Sequence, residues 1–253
     1  FWRRPSMAQA LTFAVAANAL AFGIAAALAY PFEHYMTVAI GIMWGVGVLM
    51  LVPLTLITLT KVNELSEVLF GSGPRRLITT GARRTFTGTA PKVSIHIPAY
   101  REPADMVVET LNSLAVLDYP DYEVVVIVNN TPEARYSAPV AARCRELGDR
   151  FKFLDITCTG FKAGALNVAL QHTAPDASII AVLDADYVVE KNWLADLVPH
   201  FEDPRVALVQ APQDHRDGDE VPLKQVMNAE YAGFFDIGMV QRNEDDAIIT
   251  HGT

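Results

Sequence analysis

Two aspartates one residue apart, Asp184 and Asp186, close the apolar run Ile179–Leu183 and so present two carboxylates at its end. Such a pair suits a hard divalent cation, Mg2+ or Mn2+, held between the protein and a diphosphate. Lys162 stands at the start of a helical stretch, where its charge and the helix N-terminus together suit phosphate. Tyr100 and Glu102 follow a second apolar run, and Asn129 and Asn130 follow a third. Each group alone has a plainer explanation. An Asp-x-Asp is usually a solvated turn, Lys-Ala-Gly-Ala an ordinary helix start, and a tyrosine a packing residue. Their recurrence after successive apolar runs argues for one site.

The runs themselves say what positions these side chains. Val93–Ile97, Glu123–Val128, Phe151–Ile156, Ile179–Leu183 and Val206–Gln210 are near-continuous apolar stretches, as expected of strands covered on both faces. Between them lie helical stretches over 103–117, 133–147, 162–172 and 191–201. This alternation predicts an α/β fold, a Rossmann-like layer with a mainly parallel sheet, in which ligands bind beyond the carboxyl ends of the strands. The polar residues just after each strand are therefore the candidate site.

The first third of the chain differs in kind. Residues 7–30 and 35–60 carry no formal charge, and each run is long enough to cross a bilayer core, which needs about 20 apolar residues. Residues 1–91 hold 7 Lys/Arg and 3 Asp/Glu, whereas 92–253 hold 13 and 26. Arg3 and Arg4 precede the first run, Lys61, Arg75, Arg76, Arg83 and Arg84 follow the second, and the segment between the runs has neither Lys nor Arg. The positive-inside rule then places both ends, and the large domain, on the cytoplasmic side of the membrane. The expected organisation is two transmembrane helices within 1–61, an interfacial helix or a continuation of the second span followed by a linker over 62–91, and the α/β domain over 92–253. The acidic balance of that domain excludes nucleic acid as a partner. Cys144 and Cys158 form no CxxC, and the six histidines show no HxxxH, which excludes a zinc motif.

Four stretches carry a family resemblance: IPAYRE (97–102), FKAGALNVAL (161–170), VLDADYVVE (182–190) and FFDIGMVQRNEDDAIITHGT (234–253). The chain from about Lys92 onward resembles a family 2 glycosyltransferase of the GT-A type, and within that family bacterial processive β-glucan and cellulose-like synthases. The resemblance implies that Tyr100 and Glu102 hold the uridine end of a UDP-sugar, with Asn129 or Asn130 bonding the base. It implies that Lys162 holds the diphosphate, that Asp184 contacts ribose and diphosphate, and that Asp184 and Asp186 carry Mg2+ or Mn2+. His251, Gly252 and Thr253 would line the entry of the glycan acceptor. Val128 stands where the family usually has a base-reading aspartate.

The resemblance further implies an inverting transfer of a sugar, glucose above all, to a growing β-glucan beside the lipid bilayer. Homo-oligomers and export partners fit this reading. The general base and the acceptor-gripping segment are expected beyond Thr253, so that the chain holds a donor without elongating a polymer; Glu244, Asp245 and Asp246 are the nearest substitutes. Two alternatives stand beside it, transfer to a polyprenol phosphate and a non-catalytic nucleotide-binding membrane scaffold.

Overall fold

The computed structural model describes residues 6–70 and 88–244. The chain divides into two compact units, one holding 6–70 and 212–244, the other 88–211. Most of the expected linker, residues 71–87, lies outside the described residues.

In the first unit, α1 (Met7–Glu33) and α2 (Val38–Phe70) are both long and apolar enough to cross a membrane. Neither has an apolar stripe set against a polar face, the pattern of a helix surrounded by apolar material rather than lying on a core. Several of their polar side chains are satisfied within the hairpin. Thr12, Asn18 and Thr60 donate to carbonyls one turn back, and Trp44 Nε1 donates across to Ala27 O at 2.8 Å. A capping box starts α1, Ser6 Oγ accepting from Gln9 N while Gln9 Oε1 accepts from Ser6 N. Residues 62–70 continue α2 without a break. Their Val62, Leu65 and Leu69 face a groove shared with Leu11, Thr12, Val15 and Ala16 of α1. The same unit contains α7 (Pro222–Ala232), a π-helical stretch (Gly233–Met239) and α8 (Val240–Glu244), and Arg242 reaches Glu64 of α2 at 3.8 Å.

The second unit is a parallel four-stranded sheet with helices, as the alternating pattern predicts. Its elements are β1 (Lys92–Ala99), α3 (Ala104–Ala115), β2 (Tyr122–Asn129), α4 (Ala134–Leu147), β3 (Phe151–Ile156), α5 (Phe161–Gln171), β4 (Ala177–Val182) and α6 (Trp193–Leu197), the last running into a 3-10 turn. The strand order is β3-β2-β1-β4. The chain winds outward from β1 through β2 to β3, then returns to the other side of β1. A right-handed crossover on the return must lie on the opposite face. Accordingly α3 and α4 cover one face over Val93, Ile95, Ile97, Val124 and Val126, and α5 covers the other over Val125 and Ile127. β2 is buried along its whole length because it has a strand on each side and helices on both faces.

Val206–Gln210 is not a strand. It pairs with no other strand among the described residues, Val206 N closes a turn onto Asp203 O at 2.9 Å, and Leu208 is 47% exposed. An apolar run states that a segment is greasy; only a partner at ladder distance makes it a strand.

Under α5 lies a buried polar network. Glu123, 4% exposed at the start of β2, accepts from Ser94 Oγ of β1 at 2.7 Å and from Ala174 N, just past α5, at 2.7 Å, and pairs with Lys152 of β3 at 2.7 Å. His96 Nε2 completes the network against Ser94 Oγ (3.1 Å) and Thr173 Oγ1 (3.0 Å). Burial pushes the His96 imidazole below its ordinary value, although Glu123 pulls the other way. Burial alone would raise Glu123, but the hydrogen bonds from Lys152, Ala174 and Ser94 outweigh it and hold the carboxyl below the usual range.

Both shifts act in one direction. Each group binds its proton less readily folded than unfolded, so the unfolded chain gains protons first as the pH falls. Stability is full above the ordinary histidine value of 6.5, declines below it through His96, and declines again below 4.5 through Glu123. Tryptophan-fluorescence melts between about pH 8 and pH 4 should show Tm falling below about pH 6.5. His96→Gln, which keeps a polar group against Ser94 and Thr173, should flatten the upper part of that fall; an unchanged profile would place the sensitivity elsewhere.

Candidate active site at the carboxyl edge of the sheet

Where the strand order reverses, β1 and β4 lie side by side and their carboxyl ends open a crevice between outgoing connections. Leu183 N donates to His96 O at 3.0 Å, so the pairing with β1 persists to the residue before Asp184. Ala185 is 4% exposed and separates Asp184, which is half-buried, from Asp186, which is exposed. Helix α3 fixes this loop from beneath. Thr110, fully buried, donates through Oγ1 to Ala185 O at 2.9 Å, and Ser113 Oγ accepts from Val189 N at 3.3 Å.

Lys162 Nζ forms an ion pair with Asp184 Oδ1. It is delivered there by a loop whose conformation is unusual at every step. Gly160 has φ of 91° and Phe161 a φ of 53°, and a Cβ on Gly164 would stand 1.9 Å from Thr159 O. Only glycine lets the loop close onto the first turn of α5, which gives the Lys-Ala-Gly sequence its physical reason. The other two non-glycine residues in the left-handed region among those described are Arg101 (φ 55°), two residues past β1, and Asn130 (φ 50°), directly after β2. All three lie along one edge of the sheet. Each such residue costs on the order of 1–3 kcal/mol, which the surrounding structure must offset, and strain of this kind gathers at functional sites.

The asparagines serve this loop. Asn129 is 4% exposed; its Nδ2 donates to Phe161 O at 3.3 Å and its Oδ1 accepts from Cys158 Sγ at 3.4 Å. Asn130 Nδ2 donates to Cys158 O at 2.8 Å. The Asn129 amide is thus engaged at both ends with the loop that carries Lys162. Asn130 keeps a second N–H and its carbonyl at the surface end of β2. Thr131, buried, ties the two neighbouring loops together, donating to Asn129 O (2.9 Å) and accepting from Arg101 N (3.1 Å). Neither Thr110 nor Thr131 was among the sequence candidates. Thr110 carries a faint signal, a hydroxyl in the apolar row of Val107, Leu111 and Leu114.

Tyr100 is 56% exposed at the end of β1, with the Arg101 guanidinium 5.6 Å from its ring centre. Glu102 sits deeper. Burial, then the negative charges of Asp186 and Asp184, push its carboxyl above the usual range. Three acids thus share one electrostatic neighbourhood with a single lysine, a field that favours a cation. Among the described residues no three ligating side chains stand close enough to cage a metal by themselves. Mg2+ is ordinarily held by one or two carboxylates with phosphate oxygens and water completing the shell. The residues present fit that kind of ion: Asp184 and Asp186 as ligands, Lys162 beside them for phosphate. His251, Gly252 and Thr253 lie outside the described residues.

The second unit is therefore a parallel α/β layer whose switch point gathers a carboxylate pair, a lysine and an exposed aromatic ring. The chain belongs to glycosyl transferase family 2, whose sequence model matches residues 94–253. It is 34% identical over 132 residues to a beta-monoglucosyldiacylglycerol synthase of Trichormus variabilis, covering 51% of this chain and 27% of that protein. It is 30% identical over 160 residues to cellulose synthase 1 of Komagataeibacter xylinus, covering 61% and 10%. A poly-beta-1,6-N-acetyl-D-glucosamine synthase of Staphylococcus epidermidis is 26% identical over 153 residues, covering 60% and 35%. Among solved structures, a mannosyltransferase from Pyrobaculum calidifontis in complex with GDP-Man and Mn2+ matches with a TM-score of 0.41 and 28% identity, covering 50% and 37%. The chain thus spans well under half the length of these relatives.

The α3 clamp on the Asp-Ala-Asp loop is open to test. Thr110→Val removes the donor to a buried carbonyl, a loss of about 1–3 kcal/mol, whereas Thr110→Ser keeps it. In the full chain, Mn2+ affinity in the presence of UDP should fall for the valine variant and recover for the serine variant. Equal metal affinity in both would mean that Thr110 only packs.

Proposed function

We propose that this chain belongs to an inverting glycosyltransferase that moves a sugar, glucose above all, from a UDP-sugar to a growing β-glucan at the cytoplasmic face of a membrane. One observation carries the reading: Asp184 and Asp186 follow β4 at the β1/β4 switch point, with Lys162 paired to Asp184 and Glu102 in the same electrostatic neighbourhood, so that carboxylates suited to a divalent cation stand beside a lysine suited to phosphate. Asp184 and Asp186 would hold Mg2+ or Mn2+, which supplies charge to offset the negative charge growing on a departing diphosphate. Lys162 leaves its ion pair with Asp184 to contact phosphate. Tyr100 offers its exposed face to the nucleoside. The sheet and α3 hold these groups in place before any ligand arrives, which is how such sites gain from preorganisation. Helices α1 and α2 support placement in a bilayer by their length and apolar surface.

A lipid acceptor is the second reading. The beta-monoglucosyldiacylglycerol synthase of Trichormus variabilis carries a lipid in its name and shares 34% identity. Membranes bearing the full-length protein, given radiolabelled UDP-glucose, separate the two: label in an insoluble glucan supports the polymer, and label in the organic extract supports the lipid.

The donor half is tested by calorimetry on the full chain in nanodiscs. UDP should bind in Mn2+ or Mg2+ and lose at least tenfold in affinity with EDTA, about 1.4 kcal/mol or more. Asp186→Asn should reproduce that loss with metal present and leave the melting temperature unchanged, since Asp186 is exposed. Equal UDP affinity with and without EDTA would refute the metal-bridged site.

A further inference from the structure

Farther along the same edge lies a hollow that none of these roles uses. Asn130, Thr131, Pro132, Asp155 and Thr157 line an open cleft of about 340 Å³ between the ends of β2 and β3. Within this unit Asp184 and Asp186 follow β4, and Asp155 is the penultimate residue of β3 at the opposite edge of the sheet. Three strand spacings of about 4.8 Å separate them, roughly 14 Å. A nucleoside diphosphate with its phosphates at Lys162 and Asp184 would therefore cross Tyr100 at the end of β1 and bring its base over β2 and β3.

The residues there are arranged to read it. β2 and β3 run in register, with Val124 opposite Phe151, Val126 opposite Phe153 and Val128 opposite Asp155. Neighbours in register share a face, and Phe151 and Phe153 both join the core beneath α4. At Asp155 this apolar row ends in an exposed carboxylate. Val128, 3% exposed, is sealed inside the core, so position 128 does not line the cleft, and a carboxylate there would be buried. Among the described residues Asp155 makes no ion pair or side-chain hydrogen bond, whereas Lys152, the other polar residue of β3, is paired with Glu123.

We propose, resting on the UDP-sugar reading above, that Asp155 selects the base, accepting the ring N–H of uracil from the neighbouring strand to the one on which Val128 stands. A carboxylate only accepts. Uracil presents N3–H between two carbonyls; cytosine presents a bare N3 at the same point and is repelled. Asn130, whose Nδ2 has one N–H left after Cys158 O, and the exposed Thr157 hydroxyl line the same cleft and supply donors for the two flanking carbonyls. The pattern donor–acceptor–donor on the protein complements uracil.

The comparison that isolates this contact is UDP against CDP, measured by calorimetry with Mn2+ on the full chain in nanodiscs. The unaltered chain should prefer UDP. Asp155→Ala, at an exposed position, should leave the melt unchanged, weaken UDP by roughly tenfold to a hundredfold, the size of one charge-assisted hydrogen bond, and bring the UDP/CDP ratio close to one. Asp155→Asn, whose amide can donate or accept, should gain CDP affinity. Asp186→Asn should weaken both nucleotides alike, because it acts at the diphosphate end. A UDP/CDP ratio unchanged in Asp155→Ala, while UDP still binds with metal, overturns the role of Asp155 and leaves the donor site standing. An unaltered chain that binds neither nucleotide with metal overturns both.

Discussion

One carboxylate in a dry interior, that of Glu123, sets the frame on which the site is built. It joins β1, β2 and β3 to the end of α5 through Ser94, Lys152 and Ala174. A buried charge is tolerable only when its lone pairs are met, and here three donors meet them. α5 is thereby fixed at its tail. Its head is fixed by Asn129, which grips the loop at Phe161 and Cys158. Between these two anchors runs the helix whose first turn carries Lys162. The lysine reaches Asp184 because the helix beneath it has no freedom to slide.

The reversal of strand order makes that placement useful. By sending α5 to the face opposite α3 and α4, the chain brings a lysine over the sheet edge from one side and the Thr110 clamp under the Asp-Ala-Asp loop from the other. The left-handed residues Arg101, Asn130 and Phe161 mark where the backbone bends hardest to turn three connections toward a common crevice. Lys162 serves as internal counter-ion to Asp184, offsetting the negative charge that Asp184, Asp186 and Glu102 gather at this edge.

Much of this was legible in the residues. The parallel sheet followed from apolar runs alternating with helical stretches, and the Asp184/Asp186 pair with Lys162 from polar residues just after those runs. What failed to show was pairing and depth. Val206–Gln210 has the composition of a strand but no partner, and composition cannot supply one. Asn129 closes β2, and its bonds to Phe161 and Cys158, 32 and 29 residues along the chain, come from a packing that the local sequence does not state. Asp155 was invisible because its meaning comes from a register with Val128 that only the assembled sheet defines. Thr110 hid for a similar reason: it lies 75 residues from the loop it holds.

The unbroken course of α2 carries a consequence of its own. Its 33 residues make a rod of about 50 Å at 1.5 Å per residue, against roughly 30 Å for the apolar thickness of a bilayer. A continuous helix transmits angle as well as length, and α2 continues through Pro53 to Glu64. Every residue added or removed upstream of Glu64 rotates that side chain by about 100° around the axis, and at 3.8 Å its approach to Arg242 tolerates no such turn. The number of residues between the apolar stretch and Glu64 therefore acts as a phase setting, readable as a periodicity of between three and four in any series of insertions.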